Sequence, residues 1–263
     1  MIRPIKRLGQ NFLQDPNTAR NIVAGLVAKR GDPVVEIGPG TGALTGLLTD
    51  AFDRVTAIEV DERAAEIIED LWPAVDIRRM DILDVDWQAL RKELEAPLHV
   101  IGNLPYYITT PILFDLLDAG ADGDVKEAVM MMQYEVAERL IAQPRTKQYG
   151  ILSVAVQQAA RAEILFPVSR NVFFPKPDVR SAVVRLTFGE QDPALHVDTA
   201  HLRMVVRTAF NQRRKTLRNS LQALTGSLGR ELPEDVASKR AEELSPSDFV
   251  TLTRYLHGMP PRP

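Results

Sequence analysis

The chain has 263 residues, 45% apolar and 25% charged, with a formal net charge of −3, a balance ordinary for a globular protein able to bury a sizeable core as one domain or as a main domain with an appendage. It has no cysteine, which excludes disulfides and thiol nucleophiles and fits a reducing cytoplasm; its four histidines are scattered without ligand spacing, so no metal site is expected. No apolar run reaches the roughly 20 residues of a membrane span, and the N-terminus "MIRPIKRLGQNFL" lacks the apolar stretch of a secretory signal, so neither a membrane nor export is expected.

Apolar strands alternate with amphipathic helices over the first two-thirds, the pattern of βαβ units. A strand at 33–37 runs into Gly38-Pro39-Gly40-Thr41-Gly42, where glycines let a ligand lie against bare main chain at the start of the next helix. The strand at 55–60 ends in "AIEVD", with Glu59 about 20 residues past the loop, where an acid commonly binds ribose hydroxyls. The helix over 63–71 carries Ala64, Ile67, Ile68 and Leu71 on one apolar stripe. Asp81 follows the strand at 75–79, and Asn103 ends the strand at 98–102. "MMMQ", in the strand at 128–133, reads as a fully buried central strand rather than a methionine-rich binding face. Strands at 163–167 and 181–188 flank "FFPKPDVRS". At "GEQDPALHVD" the β-rich sequence stops, and from Thr199 a small all-helical domain is expected, ending in a Pro-rich tail.

"GPGTGA" also satisfies the loose pattern of a nicotinamide-binding loop. Glu36, two residues before Gly38, makes the segment resemble the "ExGxGxG" of S-adenosyl-L-methionine-dependent methyltransferases, in which an acid at the place of Asp81 binds the adenine end. Each acid alone could be a solvated strand-end carboxylate or a loop cap. Jointly, at successive carboxyl ends of an open sheet, they converge on one crevice and favour the methyltransferase.

"VIGNLPYYITTPILF" begins as a buried strand and then breaks at Asn103-Leu104-Pro105-Tyr106-Tyr107. The exocyclic amine of a nucleobase is a poor nucleophile because its lone pair is delocalised into the ring. If the Asn103 side-chain carbonyl and the Leu104 main-chain carbonyl each accept one of its N–H groups, the nitrogen is steered towards tetrahedral geometry. Pro105 holds Leu104 extended, and Tyr106 offers a face for stacking, worth about 1–3 kcal/mol.

"NLPYYITTPIL" resembles the catalytic motif of the ribosomal RNA adenine N6-dimethyltransferases, most closely the branch acting on small-subunit rRNA. "RLGQNFLQD", "FFPKPDVRSAVVRL" and "FNQRRKTLRNSL" resemble three further signatures of that family. The resemblance implies a Rossmann-like α/β methyltransferase domain over residues 1–189 and a helical RNA-binding domain over 190–263. It implies that Asn11, Leu13, Gly38, Glu59, Asp81 and Asn103, with Gly40 in the same loop, bind S-adenosyl-L-methionine. Asn103, Leu104, Pro105 and Tyr106 would hold the target amine, and Phe173 would stack on the flipped adenine opposite Tyr106, leaving Phe174 to plug the core. The substrate implied is a pair of adjacent adenosines in the 3′-terminal hairpin of 16S rRNA, met in pre-30S particles by a cytoplasmic monomer. Rivals are an erythromycin-resistance-type 23S rRNA methyltransferase, a non-catalytic assembly factor and a nicotinamide-dependent oxidoreductase.

The stretch between Asp198 and Glu231 contains no acid but holds Arg203, Arg207, Arg213, Arg214, Lys215, Arg218 and Arg230. The N-terminal arm adds Arg3, Lys6 and Arg7. Arg7, Arg207, Arg213, Arg214, Lys215 and Arg218 are therefore expected to meet RNA phosphates, although such a run can also be a solvated helix face and the overall acidity is unusual for an RNA binder.

Overall fold

The computed structural model describes residues 2–5, 8–190 and 197–258. Its elements run β1 (Phe12–Leu13), α1 (Pro16–Val23), β2 (Pro33–Ile37), α2 (Thr45–Ala51), β3 (Arg54–Glu59), α3 (Glu62–Leu71), β4 (Asp76–Arg79), α4 (Trp87–Glu93), β5 (Leu98–Asn103), α5 (Thr109–Ala121) and β6 (Val125–Gln133). After α6 (Tyr134–Leu140) and α7 (Ile151–Ala159) come β7 (Ala160–Val168), β8 (Phe173–Phe174) and β9 (Ser181–Phe188). The chain divides into two compact units, one of Met1–Ala137 with Arg161–Gly189, the other of Glu138–Ala160 with Glu190–Pro263. Glu138–Ala160 thus joins the C-terminal unit, whereas the sequence suggests a first domain unbroken to residue 189.

In the first unit seven strands form one sheet in the order β4-β3-β2-β5-β6-β9-β7. The strands from β4 to β6 are parallel, and β9 runs antiparallel to β6. All seven strands expected from the sequence are present. Ile37 is level with Gly102, and Asn103 with Met131, so the loops after β2, β3, β4 and β5 emerge along the carboxyl edge where open α/β sheets hold ligands. Met130, Met131 and Met132 are fully buried, as expected of a strand covered on both faces. Gly102 is bare because a Cβ there would come within 2.7 Å of the Ile37 carbonyl oxygen.

Helix starts are set locally. The Asp15 carboxylate accepts the Thr18 N–H, with Pro16 in the first turn of α1, and Asp61 and Asp86 cap α3 and α4 in the same way. The buried stripe of α3 is Ala64, Ala65 and Ile68. Leu71, the last residue of the helix, is exposed, contrary to the predicted stripe.

A second, two-stranded ribbon was not legible in the sequence. It pairs β1 with β8, setting Phe12 opposite Phe174 and Leu13 opposite Phe173. Directly opposed residues share a face. Leu13 and Phe173 turn into the main core, while Phe12 lies against Gly40.

The second unit is helical, with α8 (Thr199–Asn211), α9 (Leu217–Ser220), α10 (Gln222–Leu228), α11 (Glu234–Ala237) and α12 (Pro246–Leu256) added to α7. Its core gathers Tyr149, Leu202, Leu217 and Phe249. The Tyr149 ring meets Phe210 edge-on at 6.0 Å and its hydroxyl donates to the Leu244 carbonyl at 2.7 Å. The predicted Pro-rich tail lies outside the described residues.

Candidate active site

One cavity of the first unit is lined by Asn11, Leu13, Gly38, Gly40, Glu59 and Asp81 together with Asn103, Leu104, Pro105 and Tyr106. The carboxyl ends of four parallel strands and the β1 arm bring these residues together. Gly38 has φ +64° and Gly40 φ +58°, the left-handed region that disfavours a Cβ. A Cβ on Gly38 would project into open space, whereas one on Gly40 would press at 3.1 Å on the Phe12 ring. The first glycine keeps the cavity wall bare and the second seats the N-terminal arm.

Two acids lie beneath the loop. Glu59 accepts the Asp61 N–H at 2.9 Å and the Gly40 N–H at 3.2 Å. Burial raises its pKa, and those two N–H groups oppose the rise. Glu36 is almost wholly buried, accepts the Thr45 hydroxyl at 2.7 Å, and is pushed up to about 8, first by burial and then by the charge of Glu59. Asp81 is exposed at the rim, where its carboxylate caps the following turn through the Leu83 N–H at 3.0 Å.

The Asn103 Nδ2 donates to the Asn11 main-chain oxygen at 2.9 Å. A carbonyl can only accept, so this bond turns Oδ1 of Asn103 away from Asn11 as the free acceptor. Leu104 buries its side chain and donates its N–H to the Met131 oxygen at 3.0 Å, which leaves its carbonyl as the remaining polar group. The Tyr106 hydroxyl is 2.7 Å from that of Ser181, a fully buried residue at the end of "FFPKPDVRS", so two distant motifs meet here. Tyr107 does a different job. It is exposed, and its ring packs so closely on Gly9 that a Cβ there would stand 2.9 Å from it.

Several contributors were missed from sequence. Gln10 Nε2 donates to Asp61 at 2.8 Å while its Oε1 accepts the Ile5 N–H, latching the arm to the end of β3. Asp61 is in turn gripped by Arg63, which holds its carboxyl below the usual range. The glutamine inside "LGQN" was the available signal.

Phe173 needs correction. It is 5% exposed, packs in the core and does not line the cavity, while Phe174 is 53% exposed. Phe173 is thus not the exposed ring expected at the site, because pairing with β1 turns it inward beside Leu13, and Phe174 does not plug the core; neither ring lines the cavity.

The basic run is also partly reassigned. Arg213 is bound within the second unit, donating to Glu242 at 2.7 Å and to the carbonyls of Lys147 and Thr146 at 3.0 and 2.9 Å. Arg218 is exposed but paired with Glu234 at 2.6 Å. Arg207, Arg214 and Lys215 are exposed and, among the described residues, have no ion-pair partner. Arg7 and Lys6 lie outside the described residues.

The cavity suits S-adenosyl-L-methionine. A bare glycine wall admits close approach, a buried carboxylate with free lone pairs can accept ribose hydroxyls, and Asp81 at the far rim can accept an amine. The family model for ribosomal RNA adenine dimethylase matches residues 3–257. A Salinibacter ruber protein named ribosomal RNA small subunit methyltransferase A is 52% identical over 256 residues, spanning 97% of this chain and 85% of its own. Its namesake from Ligilactobacillus salivarius is 43% identical, spanning 97% and 90%. Of solved structures, a dimethyladenosine transferase from Plasmodium falciparum has a TM-score of 0.78 at 24% identity, covering 94% of this chain and 98% of that one. The 23S rRNA methyltransferase ErmE has a TM-score of 0.67 at 26% identity, covering 94% and 99%. These likenesses carry the Rossmann-like methyltransferase fold, and the match over nearly its whole length makes this chain a member of the ribosomal RNA adenine dimethylase family.

Proposed function

We infer that the chain is an S-adenosyl-L-methionine-dependent methyltransferase that dimethylates N6 of two adjacent adenosines in the 3′-terminal hairpin of 16S rRNA. Its substrate is the pre-30S particle, on which it acts as a monomer in the cytoplasm. The observation that carries the reading is the bond from Asn103 to the Asn11 carbonyl, which leaves an amide oxygen aimed for an incoming N–H.

When bound, the cofactor supplies an electrophilic methyl on a positively charged sulfur. The residues of this chain hold the partner amine. Oδ1 of Asn103 and the Leu104 carbonyl each accept one N–H of the adenine amino group, drawing its lone pair out of conjugation. As the nitrogen takes on positive charge in the transition state, both oxygens bind it more strongly than they bind the neutral amine, and that difference lowers the barrier. Pro105 fixes the main chain and Tyr106, tethered to Ser181, supplies the stacking face. The adenine must leave its stack to reach them, at a cost of a few kcal/mol. No general base is needed, since the proton leaves once the nitrogen is ammonium-like. Arg207, Arg214 and Lys215 are among the exposed cations available to phosphates.

The large-subunit alternative shares this chemistry, but the curated relatives at 52% and 43% identity bear small-subunit names. The test is to incubate particles lacking the modification with labelled cofactor and map the label by nuclease digestion. Label on the two hairpin adenosines is expected; label on 23S rRNA alone, or none, would overturn the assignment.

A further inference from the structure

Phe174 is an apolar ring, 53% exposed, held in place by the ribbon to β1. Its Cα partner is Phe12, so the two side chains share a face. Phe12 lines the cavity and packs on Gly40 of the glycine loop. Phe174 is not itself among the residues that line the cavity, but it stands beside Phe12, which is, and one residue from Phe173, which the core has claimed. The next residues carry exposed cations, Lys176 and Arg180, the latter with its guanidinium 4.7 Å from the centre of the Tyr134 ring. An exposed aromatic interleaved with cations is how proteins hold single-stranded nucleic acid: the rings stack on bases and the cations meet the phosphates. Core packing cannot account for a phenylalanine left half in water beside a reaction site, and Phe174 is not needed to close the core that Phe173 fills.

We propose that Phe174 is a second stacking surface, which takes the nucleotide next to the adenine held by Asn103 and Tyr106 and so favours substrates whose flanking base is also unpaired. This deepens the functional reading above and rests on it. With two adjacent target adenosines, the neighbour of whichever adenine is in the cavity would lie on Phe174, linking the two methylations through one site. Phe174 is in this sense a positioning residue, since it touches the flanking base and not the reacting atoms.

The test compares the full-length wild type with F174A, F174L and F174W. Each is assayed for the KM of unmodified 30S particles, for kcat, and for cofactor affinity by calorimetry. A short oligoribonucleotide with 2-aminopurine beside a target adenosine reports stacking directly, because stacking quenches its fluorescence. Stacking of one base predicts a roughly tenfold rise in KM for F174A and F174L, with kcat and cofactor affinity within about twofold, and recovery in F174W. Quenching should be lost in F174A and F174L and kept in F174W. Unchanged KM and unchanged quenching in F174A would overturn the proposal. So would a defect seen only on protein-bearing particles with normal quenching on the oligonucleotide, which would make Phe174 a protein contact. If the wild type fails to label the hairpin adenosines, the substrate assignment is what falls, and the quenching series still decides on Phe174.

Discussion

Asn103 donates its amide N–H to the main-chain oxygen of Asn11, 2.9 Å away, and this one bond joins the N-terminal arm to the motif that ends β5. It settles which way the Asn103 amide faces, since only the nitrogen end can meet a carbonyl. Asn11 is itself held, its Nδ2 donating to the Gly9 oxygen at 3.1 Å.

Replacing Asn103 with alanine should therefore remove the acceptor and spare the fold. Losing one preorganised electrostatic group at a reacting centre costs about 100-fold or more in kcat. Label incorporation at saturating cofactor should fall by that much, while urea denaturation shows a folded protein weakened only by the lost bond to Asn11, about 0.5–1.5 kcal/mol. An N103A enzyme retaining a tenth of wild-type kcat would refute the role given to Oδ1.

Ser181 has no exposure and its hydroxyl pairs only with Tyr106 in the bonds described. S181A should leave the tyrosine hydroxyl short of a partner at a cost of about 1–3 kcal/mol. Y106F should restore stability to the S181A background, because the orphaned hydroxyl is gone. A double-mutant cycle by chemical denaturation measures this, and strictly additive effects would show the pair to be uncoupled.

Gly38 and Gly42 separate binding from folding. Gly42 has φ +84° and a Cβ there would come within 2.2 Å of the Trp72 ring, so G42A should cost more than about 2 kcal/mol from strain and overpacking. G38A has only its backbone penalty, about 1–2 kcal/mol, but points a methyl into the cavity. Calorimetry should find cofactor binding abolished in G38A, and equal affinity in G38A and wild type would exclude the glycine wall as the contact surface.

Glu36 makes stability depend on pH. Its carboxyl moves from 4.5 to about 8 on folding, so between those values the folded state binds the additional proton. Its contribution is complete below pH 4.5 and is lost as pH rises towards 8. E36Q, which cannot ionise, should flatten the fall in Tm between pH 5 and 8. Parallel profiles for the two proteins would remove Glu36 as the cause.

The cations of the C-terminal unit should divide into two kinds. R213A removes an internal ion pair and two main-chain bonds and should lower stability by about 1–3 kcal/mol. The double variant R214A/K215A should change stability by no more than about 0.5 kcal/mol. It should nonetheless weaken binding to 30S particles and reduce the salt slope by roughly 0.9 per cation lost. A salt slope unchanged in that variant would take these two side chains off the RNA.

Much of this protein is written in local sequence. Alternating apolar strands and amphipathic helices specify the parallel sheet, because strand and helix periods repeat often enough within each segment to be read. The glycine loop, Glu59, Asp81 and "NLPYY" were legible for the same reason, since each lies just past a strand end and the sheet's topology brings such ends to one edge. Tertiary structure alone decided the rest. β1 and β8 are two residues each, too short to show a period, so which phenylalanine faces in depended on pairing parity between segments far apart in the chain. The acid-free stretch looked uniformly basic, but Glu242 and Glu234 reach Arg213 and Arg218 from beyond it. Likewise Glu138–Ala160 joined the helical unit, because contacts across space, which no local window contains, settle which core a segment enters.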